Sequence, residues 1–281
     1  MSQPPSDPVI RDPLVFDAEY PPAYVGVTIS SGGLSLFGMA YLAQGRGPHP
    51  VAIFLHGLPG YERNSDLAQA ARRAGWTVVM FNYRGAWGSG GEFTLTHALE
   101  DTRMAVDWVA TEPAQQLLRT DGQRVVLLGH GMGGWAALLT AVDRSNLLGV
   151  AAVAPWNVGA YANLARDSET RPAALAFIRT VTTPLKTAGA EIVLNEAVAQ
   201  RSRWDVVQYA GLLRERNVLL LGGTDDSEAP PAVHFTPLVT ALSGGPNVQH
   251  ALIAQADHGF GARRFELTRR VVDWLEGLRR A

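Results

Sequence analysis

Residues 125–139 read Val125-Val-Leu-Leu-Gly-His-Gly-Met-Gly-Gly-Trp-Ala-Ala-Leu-Leu139. An apolar run of strand length enters a cluster of glycines, and an apolar stretch of helical character follows. Small residues at both ends of Gly129-His130-Gly131-Met132-Gly133 permit a sharp, strained strand-to-helix turn that pushes its central side chain up into a pocket. Nucleophilic chemistry at such a turn needs a serine hydroxyl at the centre. The residue at that centre is Gly131.

Further apolar runs lie on both sides: Val51–Leu55, Trp76–Phe81, Leu148–Val153, Asn217–Leu221 and Val248–Ile253. Their continuity is that of strands buried on both faces. Between them, Leu95, Leu99, Thr102, Val106 and Val109 share one helix face, and Leu267, Val271, Leu275 and Leu278 mark a closing helix. Ahead of them, Val25, Val27 and Ile29 alternate, and Leu34 and Leu36 follow a Ser-Gly-Gly turn, which predicts an antiparallel pair. The pattern predicts an α/β fold, a mostly parallel sheet flanked by helices. Residues 1–23, rich in proline, predict an extended arm, and residues 24–281 the domain. Within the domain, residues 156–205 lack a strong strand but contain helical stretches at Ala173–Ile178 and Ala190–Arg201, which predicts a helical cap over the strand ends.

The strand ending at Leu221 leads into Gly222-Gly-Thr-Asp225-Asp226, and Asp257-His258-Gly259 lies between the last strand and the last helix. Turn, acid and histidine thus follow one another in the chain order of a nucleophile, an orienting carboxylate and a base. Neutral His258 would take the nucleophile's proton, and Asp225 or Asp226 would hold the imidazole's tautomer. Upstream, His56-Gly57-Leu58-Pro59-Gly60 lets a backbone N–H turn into the site, so the Leu58 and Met132 N–H groups are the expected oxyanion hole. His56 itself reads as a brace for that loop. In Phe81-Asn-Tyr-Arg84-Gly-Ala-Trp87-Gly-Ser89, Arg84 is expected either to bind a substrate carboxylate or to pair with Glu92, Glu100 or Asp101. Trp87 and Trp156 are expected to contact substrate. Ser89 lacks the strained turn that would let it replace the missing nucleophile.

The turn, together with residues 41–139 and the tail from Asn217, resembles the α/β-hydrolases, in particular their prolyl oligopeptidase-like and dienelactone hydrolase-like branch, where Gly-His-Ser-Met-Gly-Gly is a common form. The resemblance implies the α/β-hydrolase fold and hydrolysis of a small carboxylic ester or amide, with the first acid of the Asp-Asp pair, Asp225, orienting His258. Gly131 departs from the pattern, because without a hydroxyl no acyl-enzyme forms there. Three readings follow: a hydrolase inactivated by a serine-to-glycine replacement, a natural enzyme in which His258 activates water or transfers a proton, or a non-catalytic small-molecule-binding homologue.

At 281 residues and 47% hydrophobic composition the chain has material for one large core. A net charge of −2 offers no cationic surplus for nucleic acid. The absence of cysteine excludes disulfides and thiolate metal sites. The histidines are scattered, and the glycine-rich stretches match neither dinucleotide nor phosphate fingerprints, so neither metal nor cofactor is expected. No run approaches the roughly 18 apolar residues of a membrane span, and the start lacks a signal peptide's basic and apolar regions. A soluble protein without a membrane partner is expected, cytoplasmic or exported after loss of a signal peptide. Oligomeric state is open.

Overall fold

Alternate residues of the central strands serve two different cores, the physical reason for their unbroken hydrophobicity. Ile53, Leu127, Ala152 and Leu220 pack on one side of a sheet, while Ala52, Val126, Ala151 and Leu219 pack on the other. In a computed structural model describing residues 7–280, the sheet has eight strands. They are β1 (Ala23–Ser31), β2 (Leu34–Leu42), β3 (His49–Leu55), β4 (Thr77–Phe81), β5 (Thr120–His130), β6 (Gly149–Val153), β7 (Val218–Gly223) and β8 (Val248–Ile253). Their spatial order is β1-β2-β4-β3-β5-β6-β7-β8. β2 runs antiparallel to both β1 and β4, and the pairs from β4 through β8 are parallel. This is the α/β-hydrolase fold expected from the sequence. β5 lies between β3 and β6, so the turn at Gly131 opens at the centre of the carboxyl edge, the usual ligand-binding side of such sheets.

The first six residues of the expected arm lie outside the described residues. The next three are docked rather than free: Val9 is buried, Arg73 donates to the Pro8 carbonyl at 2.7 Å, and Asp7 pairs with Arg269. The helices 95–109 and 264–280 match their periodic apolar faces.

The interval between β6 and β7 opens with three helices, Val158–Leu164, Arg171–Thr182 and Ala190–Trp204, followed by two short ones at Val206–Tyr209 and Ala210–Leu213. The first, at seven residues, is too short to show a helical period in sequence. The insertion leaves and returns at one point. Asn157 Nδ2 donates to Asp205 Oδ1 at 2.7 Å, and the Val206 N–H donates to Asn157 Oδ1 at 3.2 Å. It is also tied to the body of the domain: the Glu196 carboxylate accepts from the Leu95 and Thr96 N–H groups at 2.9 and 3.0 Å, capping the helix Leu95–Val109. Trp135 Nε1 donates to the Trp204 carbonyl at 2.8 Å. Among the described residues, no helix is long and apolar enough to cross a membrane.

Candidate active site

At the end of β5, Gly131 adopts φ 56°, ψ −120°, a conformation that L side chains rarely accept. Its N–H donates to the Val153 carbonyl at 2.9 Å, and its carbonyl accepts from Gly134 and Trp156, both at 3.0 Å. The flanking glycines are required by close backbone approach. A β-carbon on Gly129 would collide with the Gly133 backbone, and one on Gly133 with the Leu55 carbonyl. The turn is therefore imposed by packing of β5, β3 and the helix Met132–Asp143, and it persists with glycine at its apex.

His258 stands over this apex. Its Nδ1 lies 2.9 Å from Asp226 Oδ2. Asp226 is buried, and its other oxygen accepts from the Glu228 and Ala229 N–H groups at 3.0 and 2.8 Å. The expectation of Asp225 is corrected here: Asp225 is exposed, and its carboxylate accepts from its neighbour Thr224 Oγ1 at 2.8 Å. Of the two acids, the one enclosed by the loop after β7 and fixed by backbone donors is the second. Burial alone would lower the pKa of His258, but the hydrogen bond and charge of Asp226, with smaller contributions from Glu228 and Asp257, hold it above the ordinary 6.5.

A β-carbon placed on Gly131 would lie 3.1 Å from His258 Nε2 and 3.8 Å from Gly57 Cα. The free ring nitrogen thus points at the place of the absent side chain and slightly crowds it. Among the described residues, the N–H groups of Leu58 and Met132 have no hydrogen-bond acceptor, as oxyanion donors require. Both residues border a small cavity with Gly131 and His258, covered by Trp156 and by Phe177 from the insertion. It has room for a volume of about 20 Å³, enough for one water. A neighbouring cavity of about 150 Å³ shares Leu58, Glu228 and His258, and extends along Pro59 and Tyr61.

His258 is held by groups the sequence did not single out. His130 Nε2 lies 2.9 Å from the His258 carbonyl, and its Nδ1 lies 3.1 Å from Asn64 Nδ2. Asn64 Oδ1 in turn accepts from Arg264 at 3.1 Å, and Arg264 also donates to the Gly259 carbonyl at 3.0 Å. Burial, followed by the charge of His258, depresses the pKa of His130 to about 3, so it is neutral. With the Asn64 amide donating to Nδ1, the proton of His130 sits on Nε2 and is donated to the His258 carbonyl. No sequence pattern links residues 64, 130, 258 and 264, which meet only in the fold.

Of the expected substrate contacts, Trp156 is at the cavity, while Arg84 and Trp87 are not among the residues lining either cavity. Arg84 is buried in ion pairs with Asp101 at 2.7 Å and Glu100 at 2.5 Å, which uses up the guanidinium. Trp87 donates from Nε1 to the Pro59 carbonyl at 2.7 Å and packs on Tyr61, bracing the loop that follows β3. His56 fills the inside of that loop, with Nδ1 2.7 Å from the Gly57 carbonyl. Ser89 is buried and donates to the Asn82 carbonyl at 2.8 Å, away from His258. Among the described residues no group of three or more His, Cys, Asp or Glu is arranged to hold a metal.

The chain is similar to known proteins in sequence and in fold. The chain is 29% identical over 124 residues to the quorum-quenching protein AidA of Acinetobacter baumannii, a stretch covering 42% of this chain and 39% of that protein. Its matches span less than half the length of the curated relatives, 45% and 39%. Its fold is similar to that of Est1E from Butyrivibrio proteoclasticus with bound ferulic acid, at TM-score 0.65 and 18% identity, covering 91% of this chain and all of that one. It is likewise similar to the Pyrococcus furiosus esterase PF2001, at TM-score 0.66 and 18% identity, covering 95% and 97% of the two chains. The model of the alpha/beta hydrolase family matches residues 52–272, which span β3 to the closing helix, and the chain belongs to that family.

Proposed function

We propose that the protein carries the acyl-transfer site of a serine-type carboxylic ester or amide hydrolase with Gly131 at the nucleophile position, and that it is inactive or strongly impaired along the acyl-enzyme route. One observation carries the reading: His258 Nδ1 is held 2.9 Å from buried Asp226 while its Nε2 stands 3.1 Å from where a β-carbon of residue 131 would lie. A histidine–carboxylate pair aimed at that point is what a serine would need for activation. Two of the folds this chain resembles belong to proteins named as an esterase or shown with ferulic acid, which favours esters among acyl substrates. The insertion between β6 and β7 serves as a fixed cap, Phe177 and Trp156 forming its contribution to the acyl pocket.

With serine at 131, Nε2 would accept the hydroxyl proton as Oγ attacks the carbonyl carbon, and the Leu58 and Met132 N–H groups would receive the negative oxygen. Collapse of that intermediate would expel the alcohol, which takes the proton from His258. Water would then repeat the sequence on the acyl-enzyme.

A second route is favoured by the water-sized cavity beside Gly131. There a water attacks the ester carbonyl directly, His258 takes its proton and returns it to the departing alcohol, and the same N–H groups hold the oxyanion. Such a site retains a residual acceleration of about 10³–10⁴ over water.

Gly131→Ser decides the main reading. It is expected to hydrolyse a simple aryl ester and to be labelled by a serine-directed phosphonate; failure in both assays, in folded protein, overturns it. Any turnover by the Gly131 protein should vanish in His258→Ala if the water route operates.

A further inference from the structure

The walls of the two cavities flanking His258 contain no lysine or arginine. Arg84, the cation the sequence offered, is spent on Asp101 and Glu100. Arg63 and Arg264 lie nearby but are occupied: Arg63 binds Asn82 and stacks over Trp87, and Arg264 pairs with Asp66. Two glutamates are among the lining residues, Glu62 of the larger cavity and solvent-exposed Glu228 of both. Glu62 accepts from the Asn64 N–H and lies 3.8 Å from Arg264, so its charge is compensated. Glu228 is different. It borders both cavities, its backbone is fixed by donation to Asp226 at 3.0 Å, and among the described residues it has no ion-pair partner. Aromatic rings complete the surroundings, with Trp156 and Phe177 in one cavity and Tyr61 in the other.

A carboxylate without an ion-pair partner beside aromatic faces attracts a cation and repels an anion. We propose that Glu228 sets the charge class of the substrate: the site takes acyl compounds that are neutral or carry an ammonium group near the scissile bond, and rejects those carrying a carboxylate there. This rests on the acyl-transfer reading above and adds the substrate class to it. Glu228 acts on specificity, since the proton transfers are complete with His258 and Asp226.

The test separates the two ideas. Binding of benzyltrimethylammonium and of benzenesulfonate to the Gly131 protein is measured by calorimetry and by NMR of the His258 ring, with Glu228→Gln and Glu228→Lys alongside. The ammonium should bind and shift the His258 resonances. Glu228→Gln should reduce the ammonium-to-sulfonate affinity ratio on the order of tenfold, as for unit charges about 7 Å apart in partly solvated surroundings, and Glu228→Lys should invert it. No ammonium binding, or a ratio unaltered in both variants, overturns the proposal. In Gly131→Ser the ratio of kcat/KM for a cationic over an anionic aryl ester should fall likewise on Glu228→Gln. If Gly131→Ser is inactive towards every ester while the binding ratios change as stated, the acyl-transfer reading fails and the charge selection stands.

Discussion

Gly131→Ala tests whether the active-site turn is held by its surroundings or by the glycine. At φ 56°, ψ −120°, an L residue pays about 1–3 kcal/mol for its backbone. The added β-carbon then meets His258 Nε2 at 3.1 Å, so the ring must retreat a few tenths of an ångström against its 2.9 Å hydrogen bond to Asp226. The remaining contact, 3.8 Å to Gly57 Cα, is ordinary. A loss of about 2 kcal/mol is expected, equivalent to about 3–4 °C in Tm for a domain of this size. Urea unfolding followed by circular dichroism measures it, with an unchanged dependence on urea showing that the same native surface is exposed. Alanine as stable as glycine, or more so, would refute the reasoning, because it would mean that the turn relaxes when a side chain is supplied.

Within the Gly131→Ser background, Asp226→Asn should lower kcat about 10⁴-fold by removing the charge that supports the imidazolium, whereas Asp225→Asn should change it by only a small factor; comparable losses from the two would contradict the assignment of the acid. Acid stability offers an independent test. Burial lowers the pKa of His56 and His130 to about 3 and of His234 to about 4, so below the unfolded value near 6.5 the unfolded chain binds protons that the native one does not. Stability is therefore full above pH 6.5 and falls as pH drops towards the folded values, by about 4 kcal/mol per pH unit for the three together near pH 5. His258, raised in the native state, contributes stability that is fully present below about pH 6.5 and is lost as pH rises through its native pKa, so it leaves the slope near pH 5 unaltered. Against a total stability of about 5–15 kcal/mol, unfolding by acid should be centred between roughly pH 3.5 and 5.5, and a native circular dichroism spectrum at pH 2.5 would contradict it.

The fold was legible because strands buried on both faces announce themselves as short apolar runs, and because the helices 95–109 and 264–280 keep one apolar face. The apex of the turn, the histidine beside it and the unpaired Leu58 and Met132 N–H groups proposed as oxyanion donors were legible because each is fixed by chain order relative to a strand end. The acid was not resolved, since adjacent Asp225 and Asp226 occupy the same place in chain order. Only the loop closure that turns one inward and leaves the other in solvent separates them. Arg84 was left between two readings for a related reason: a lone arginine in a glycine-rich loop after a strand carries the same signature whether it meets substrate or, as here, Asp101 on the helix Leu95–Val109. The Asn64–His130–Arg264 support of His258 was invisible because its members are brought together from 66 to 200 positions apart.

That support bears on what a glycine at the apex does. The turn is enforced by Gly129 and Gly133 packing against backbone and by the hydrogen bonds of Gly131 to Val153 and Trp156, none of which involves a side chain at 131. Glycine there offers no hydroxyl and accepts the positive φ without strain, and the frame stands without a side chain at 131. His258 is anchored at three points, by Asp226 at its ring, by His130 at its carbonyl and through Gly259 by Arg264, and these anchors hold its ring aimed at residue 131. The same anchors that keep the base poised also resist the return of a β-carbon. A serine introduced at 131 must therefore displace the His258 ring by a few tenths of an ångström, and the activity gained by Gly131→Ser measures how far those anchors yield.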